Sequence, residues 1–312
     1  MVLLFAACGE GTDKKPIQTN SPTVKDILVP FFDKDSAYAY VKKQVDFGPR
    51  EPNSAAHKAC GDWMVAKLKS FGATVTEQKD RVPAHDGNVL NMRNIIASFR
   101  PDRANRIFLS AHWDTRPRAD QDSDINRKND PILGANDGAS GVGILIEIAR
   151  IMQETPAPIG VDLILWDIED YGVPEAQGSY ALGSQYWSKT KHKASYQALY
   201  GINLDMVGAE NAQFPKEGYS MAFAPNVVQK VWAAAAKLGY SNYFVQRRGE
   251  RITDDHVYVN QIAQIPTIDI IHLPPRGGFF RHWHTHGDDL SVIDPKTLQA
   301  VGQTLLEVIY HE

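Results

Sequence analysis

Val161-Asp162-Leu163-Ile164-Leu165-Trp166-Asp167-Ile168-Glu169-Asp170 is the stretch on which the fold turns. Its first six residues are a nearly continuous apolar run, the mark of a strand buried on both faces. Its last four end in a cluster of carboxylates. The same design recurs on either side. The apolar run 107–111 leads into His112-Trp113-Asp114, and the run 199–204 leads into Asp205. Further strands are read over 73–78, 92–99 and 267–271. Between them, helical spacing of apolar residues predicts helices over 36–47, 54–71, 138–152, 180–188, 226–238 and 296–310. In 138–152, Val142, Leu145, Ile146, Ala149 and Met152 share one face. Alternating strands and helices of this kind predict an α/β three-layer sandwich, with a central mixed, mostly parallel sheet flanked by helices.

The chain has 312 residues, enough for one large α/β domain. A formal net charge of −4 gives no electrostatic footprint for nucleic acid or an anionic membrane surface. No internal repeat is visible, and no apolar run is long enough to span a bilayer. Residues 1–7, MVLLFAA, precede Cys8-Gly9 and resemble the tail of a bacterial lipoprotein signal, although the basic n-region is missing and Phe5 stands where Leu is usual. The expectation is a signal remnant over 1–8, a flexible linker over 9–30 and a single catalytic domain over 31–312. The protein would then sit in the bacterial cell envelope, as a periplasmic or outer-membrane lipoprotein held to the membrane only through Cys8. Cys60, the other cysteine, would be a small buried hydrophobe with no disulfide partner.

In open α/β sheets ligands bind at the carboxyl ends of the strands. Those ends carry His112 and Asp114, then Asp167, Glu169 and Asp170, then Asp205. The loop 131–137 ends in Asn136-Asp137-Gly138 and feeds the strongest helix, and residues 281–289 read RHWHTHGDD. Taken singly, each is ordinary. Asp137 reads best as a helix cap, Asp205 as a turn residue, and the histidines as surface. Their joint occurrence at one predicted sheet edge points instead to zinc held by carboxylate and imidazole, the ligands zinc takes when thiolates are absent.

In this order, His112-x-Asp114, Asn136-Asp137-Gly138, Glu169-Asp170, Asp205 and His284-Thr285 resemble the zinc aminopeptidase-like family, over the chain from about residue 35 to its end. That family holds two-zinc aminopeptidases and a cyclase branch, the glutaminyl-peptide cyclotransferases. The resemblance implies a metal site of Asp137, Asp170 and His284. It also implies a second potential site of His112, Asp137 and Asp205, with Glu169 as the base. Three features resemble the cyclases: Thr253-Asp254-Asp255-His256, Trp283 directly before His284, and Phe279 as a pocket wall. Asp205-Met206-Val207-Gly208-Ala209 resembles their Asp-Leu-Ile-Gly-Ala. Two features depart from the animal cyclases. Asp170 stands where they have Glu, and Gly172-Val173-Pro174-Glu175 stands where a second indole wall is expected.

What the resemblance implies is one zinc per chain, with His112 structural or behind the metal ligands. Glu169, Asp205 and Asp254 would be catalytic, and Trp283, Phe279, Ile252 and Met206 would form the substrate pocket. The substrates would be peptides and proteins with N-terminal Gln, with Glu a further candidate, and the products pyroglutamate and ammonia. His256 is read as a structural hydrogen-bonding residue, and His282 and His286 as surface or supporting positions. A two-zinc aminopeptidase is the alternative. A non-catalytic binding lipoprotein on the same scaffold is a third reading, and the presence of Glu169 weighs against it.

Overall fold

The apolar runs form strands, and the helical stretches pack on both of their faces. The computed structural model describes residues 1–4 and 28–312; Cys8 and residues 9–27 of the linker expected over 9–30 fall outside the described residues. The strands are β1 (Thr74–Pro83), β2 (Val89–Phe99), β3 (Arg106–His112), β4 (Gly160–Trp166), β5 (Gly201–Asp205), β6 (Phe214–Lys216), β7 (Phe244–Arg248) and β8 (Thr267–Ile271). Six of them make one sheet in the order β1-β2-β4-β3-β5-β8. β4, β3, β5 and β8 run parallel, while β1 and β2 pair antiparallel at one edge. The sheet is therefore mixed and parallel where the chemistry sits. β6 and β7 form a separate small ribbon.

The two faces are filled by alternate residues of the same strands, as a period of two requires. Val161, Leu163 and Leu165 join Ile107, Leu109 and Ala111 in the larger core. Ile164, Trp166 and Phe108 point the other way, toward Trp187 and Tyr196. Asp162, the one charge inside β4, is neutralised by a two-pronged bond from Arg106 at 2.6 and 2.8 Å and accepts a third from the Tyr196 hydroxyl.

The helices are α1 (Lys34–Val45), α2 (Ala55–Ser70), α3 (Ala139–Glu154), α4 (Leu182–Lys189), α5 (Gly218–Phe223), α6 (Pro225–Lys237), α7 (Asp255–Tyr258) and α8 (Pro295–Tyr310). Asp33, Ser54 and Asp294 cap α1, α2 and α8 through bonds from first-turn N–H groups. α3 differs from its one-face reading, because it is buried almost all round between the sheet and other helices. Its glycines explain how. A Cβ on Gly141 would come within 2.9 Å of the Leu204 carbonyl, and one on Gly143 within 3.0 Å of the Ala37 carbonyl. The glycines let the helix seat against β5 on one side and α1 on the other. The sequence did not announce β6, β7, α5 or α7, since three to six residues carry too little periodicity. Asp254-Asp255, which read singly as a turn, instead opens α7, with Asp254 as its N-cap.

Candidate active site

All the sequence-predicted metal-type residues meet at the carboxyl edge of the parallel strands. His112 ends β3 and lies level with Trp166 of β4. Asp205 ends β5. Asp137 lies just before α3, and His284 lies in the loop between β8 and α8. Asp137 stands between the two imidazoles. Its Oδ1 lies 3.0 Å from His112 Nε2, and its Oδ2 lies 3.8 Å from His284 Nε2. His284 Nε2 also lies 3.0 Å from Asp170 Oδ1, and His112 Nε2 lies 3.5 Å from Asp205 Oδ1.

These residues fit a metal. Four-coordinate zinc with bonds of 2.0–2.1 Å keeps its ligand atoms about 3.3 Å apart, and the measured separations straddle that value. Asp137 Oδ2, Asp170 Oδ2, Asp205 Oδ1 and His112 Nε2 are all buried without a hydrogen-bond partner. Orphaned acceptors on this scale are costly unless a cation completes them. Two groups among these residues could each hold an ion, Asp137–Asp170–His284 and His112–Asp137–Asp205; Asp254, His256 and Asp269 form a further such group among the described residues.

The loops carrying these side chains are held from behind by buried carboxylates. Asp114 accepts from the backbone N–H groups of Glu169 and Asp170, at 3.0 and 3.1 Å. Asp288 does the same for Asn136 and Asp137, at 2.8 and 3.1 Å. Arg116 donates to the carbonyls of Asp170 and Gly172 and pairs with Asp120 at 2.6 Å. Asp120 Oδ1 in turn lies 3.2 Å from His284 Nδ1. Asp167 turns away from the site. It meets His57 Nε2 at 2.7 Å and accepts from the Arg93 N–H. Ile168, Met206 and His284 all have left-handed backbones, at φ of 56°, 50° and 54°. Strain of about 1–3 kcal/mol at each is typical of functional loops, and each of the three residues adjoins or is a site residue.

Above the metal-type residues opens a cleft of about 390 Å³, lined among others by Glu169, Asp205, Asp254, Ile252, Phe279 and Trp283. Phe279 stacks on Trp283 at a centroid distance of 4.4 Å, and Trp283 stacks on His284 at 3.6 Å. Met206 is buried behind this wall, in the same apolar cluster as Ile252. Burial and the charges of Asp170, Asp254 and Asp255 push the Glu169 carboxyl well above its usual range, although His112 opposes them. Burial, with Asp137 and Asp254 nearby, lifts Asp205 to about 7. Asp254 accepts from Asn203 Nδ2 at 2.8 Å.

Where the sequence offered no second indole, Tyr180 lines the cleft together with Pro174, and the Arg116 guanidinium lies 5.6 Å from its ring. Tyr180, Asp120 and Arg251 are site residues that the sequence reading missed. None stands in a motif: Tyr180 and Arg251 reach the cleft from loops, and Asp120 reaches His284 behind it. His256 is structural, with Nε2 3.1 Å from Glu217. His286 pairs with Asp122 at 2.8 Å, and His282 bonds Arg281, so neither competes with His284. Cys60 is buried.

Residues 94–309 match the model of the family described as Peptidase family M28. A solved structure of a glutaminyl cyclase from Bacteroides thetaiotaomicron, bound to N-acetylhistamine, is 54% identical with a TM-score of 0.89, covering 91% of this chain and 100% of that one. A Zn-dependent exopeptidase from Parabacteroides distasonis is 51% identical with a TM-score of 0.90 over the same shares. Among curated relatives, the aminopeptidase YwaD of Bacillus subtilis is 25% identical over 84% of this chain, which spans only 54% of that protein's length. The glutaminyl-peptide cyclotransferase of Drosophila melanogaster is 23% identical over 94% of this chain and 86% of its own length.

Proposed function

This chain belongs to peptidase family M28, and on that premise we propose that it is a zinc-dependent glutaminyl cyclase, converting an N-terminal Gln of peptides to pyroglutamate with release of ammonia. The observation that carries the reading is the wall of Phe279 and Trp283 stacked on His284, facing Glu169, Asp205 and Asp254 across one small cleft. Stacked rings offer an apolar face to a compact, uncharged side chain beside the carboxylates.

The reaction is intramolecular, so the site supplies conformation more than encounter. A zinc ion held by Asp137, Asp170 and His284 would polarise the γ-carboxamide carbonyl and stabilise the charge that develops on its oxygen. Glu169 takes the proton from the attacking α-amine and returns it to the leaving ammonia. Its carboxyl is held above its usual range by burial and by its acidic neighbours, which suits a group that must both accept and give a proton. Asp254, fixed by Asn203 and by capping α7, would hold the amine through the transfer, with Asp205 beside it. One C–N bond forms, one breaks, and the proton count is unchanged.

A single zinc is the finer part of the proposal. His284 Nδ1 is backed by Asp120, the support a metal-bound imidazole usually has. His112 Nδ1 stands farther from its carboxylate, 3.6 Å from Asp114, and both Nδ1 atoms otherwise lack a hydrogen-bond partner. A two-zinc aminopeptidase is the second reading, because His112, Asp137 and Asp205 also form a compact group. Glu169→Gln tests the mechanism. Ammonia release from a Gln-initiated peptide should fall by roughly 10²–10⁴-fold while zinc content is unchanged. Full activity in that variant would remove Glu169 from the mechanism.

A further inference from the structure

The catalytic cleft is acidic on its floor and has one cationic side chain among its lining residues, Arg251. Arg251 is exposed, and its guanidinium lies 5.3 Å from the centre of the Tyr219 ring. The backbone on both sides of it is pinned. Ile252 N–H donates to Glu217 Oε1 at 3.0 Å, and Gly218 N–H donates to the Glu250 carbonyl at 2.8 Å. A second cavity of about 450 Å³ adjoins the cleft and shares Pro174, Tyr180 and Thr253 with it. It continues past Tyr219, Tyr258 and Gln261. Tyr219 belongs to this cavity and touches Arg251 of the first, so the two form one groove.

We propose that this groove holds the second and third residues of the peptide substrate, and that Arg251 reads acidic side chains there. The inference rests on the cyclase reading. The α-amine must reach the carboxylates on the floor, so the rest of the peptide leaves through the mouth. On one side Phe279 and Trp283 close the cleft with stacked rings. On the other, the wall of Pro174 and Tyr180 opens into the adjoining cavity. Tyrosine rings and a glutamine amide suit an extended peptide backbone, supplying apolar faces and hydrogen bonds together. The charge order also matches: a cationic terminus meets an anionic floor, and an anionic side chain further along meets the guanidinium. A planar guanidinium resting on a tyrosine ring is already oriented for a carboxylate.

The test uses the zinc-loaded enzyme at low ionic strength, with ammonia release from Gln-Glu-Glu-amide and Gln-Lys-Lys-amide. The ratio of their kcat/KM values is taken within each protein, so incomplete folding of a variant cancels. The five carboxylates of the cleft bias that ratio in every variant, and the informative quantity is its change on substitution. Arg251→Glu should lower the ratio by roughly tenfold and Arg251→Ala by roughly threefold, mostly through KM, and added salt should compress both effects. A ratio that stays within about twofold in Arg251→Glu overturns the role of Arg251. Absence of ammonia from every peptide with the unsubstituted enzyme overturns the cyclase reading and the inference with it.

Discussion

His284 shows what a single residue needs before it can serve a metal. Its Nε2 faces Asp170 and Asp137, its Nδ1 faces Asp120, and Trp283 lies flat against its ring. The first two partners were legible in the sequence because each stands at the end of an apolar run or in a turn motif. Asp120 was not, because nothing in its neighbourhood marks it and its contact spans a long loop. Tyr180 and Arg251 escaped for the same reason: they reach the cleft by tertiary packing, which local patterns do not encode. The role of Asp120 can be measured. Asp120→Ala should weaken zinc binding roughly 10–100-fold in competition with a chromophoric chelator, since a supporting carboxylate fixes the ring and raises its basicity. Unchanged affinity would show that Asp120 serves only Arg116.

At the scale of elements, the strands were readable because burial on both faces forces apolar runs, and their carboxyl ends then had to carry the chemistry. Register did the rest: the pairing of His112 with Trp166 sets the carboxylates after β4 beside the end of β3. The short α5 and α7 escaped because they exist through tertiary contacts, chiefly those of Glu217. This buried carboxylate accepts from Tyr219 N–H, Ser220 N–H, the Ser220 hydroxyl and Ile252 N–H, and lies against His256. Burial alone would raise its pKa, but the bonds from His256 and Ser220 outweigh it and hold the carboxyl at about 2. Because the folded value lies below the unfolded one, the stabilisation is complete above about pH 4.5 and is lost as pH falls toward 2. Its size is on the order of 3 kcal/mol. In urea unfolding, Glu217→Gln should be less stable than the parent at pH 7, and the gap should narrow as the pH falls from 4.5 to 3. A gap independent of pH would mean that the ionised carboxylate is not what joins these elements.

For the whole molecule, the sheet brings together five carboxylates and two imidazoles that lie far apart in sequence, at an edge where backbone and buried aspartates hold them despite their mutual repulsion. That arrangement is common to a hydrolase and to a cyclase of family M28, so the metal-type residues alone do not separate the two. On the function proposed above, the stacked Phe279 and Trp283 together with Asp254, which line the same cleft, separate them. The sequence carried that distinction only through a family resemblance, since one Trp or one Asp read by itself is as easily packing or a turn. The most direct measurement pairs metal content with product. Zinc per chain is determined by elemental analysis on the loaded protein, and the same sample is given a Gln-initiated peptide and a Leu-initiated peptide. The cyclase account predicts one zinc per chain, with ammonia and a pyroglutamyl peptide from the first substrate and no free leucine from the second. Two zincs per chain with release of leucine and no ammonia would contradict it.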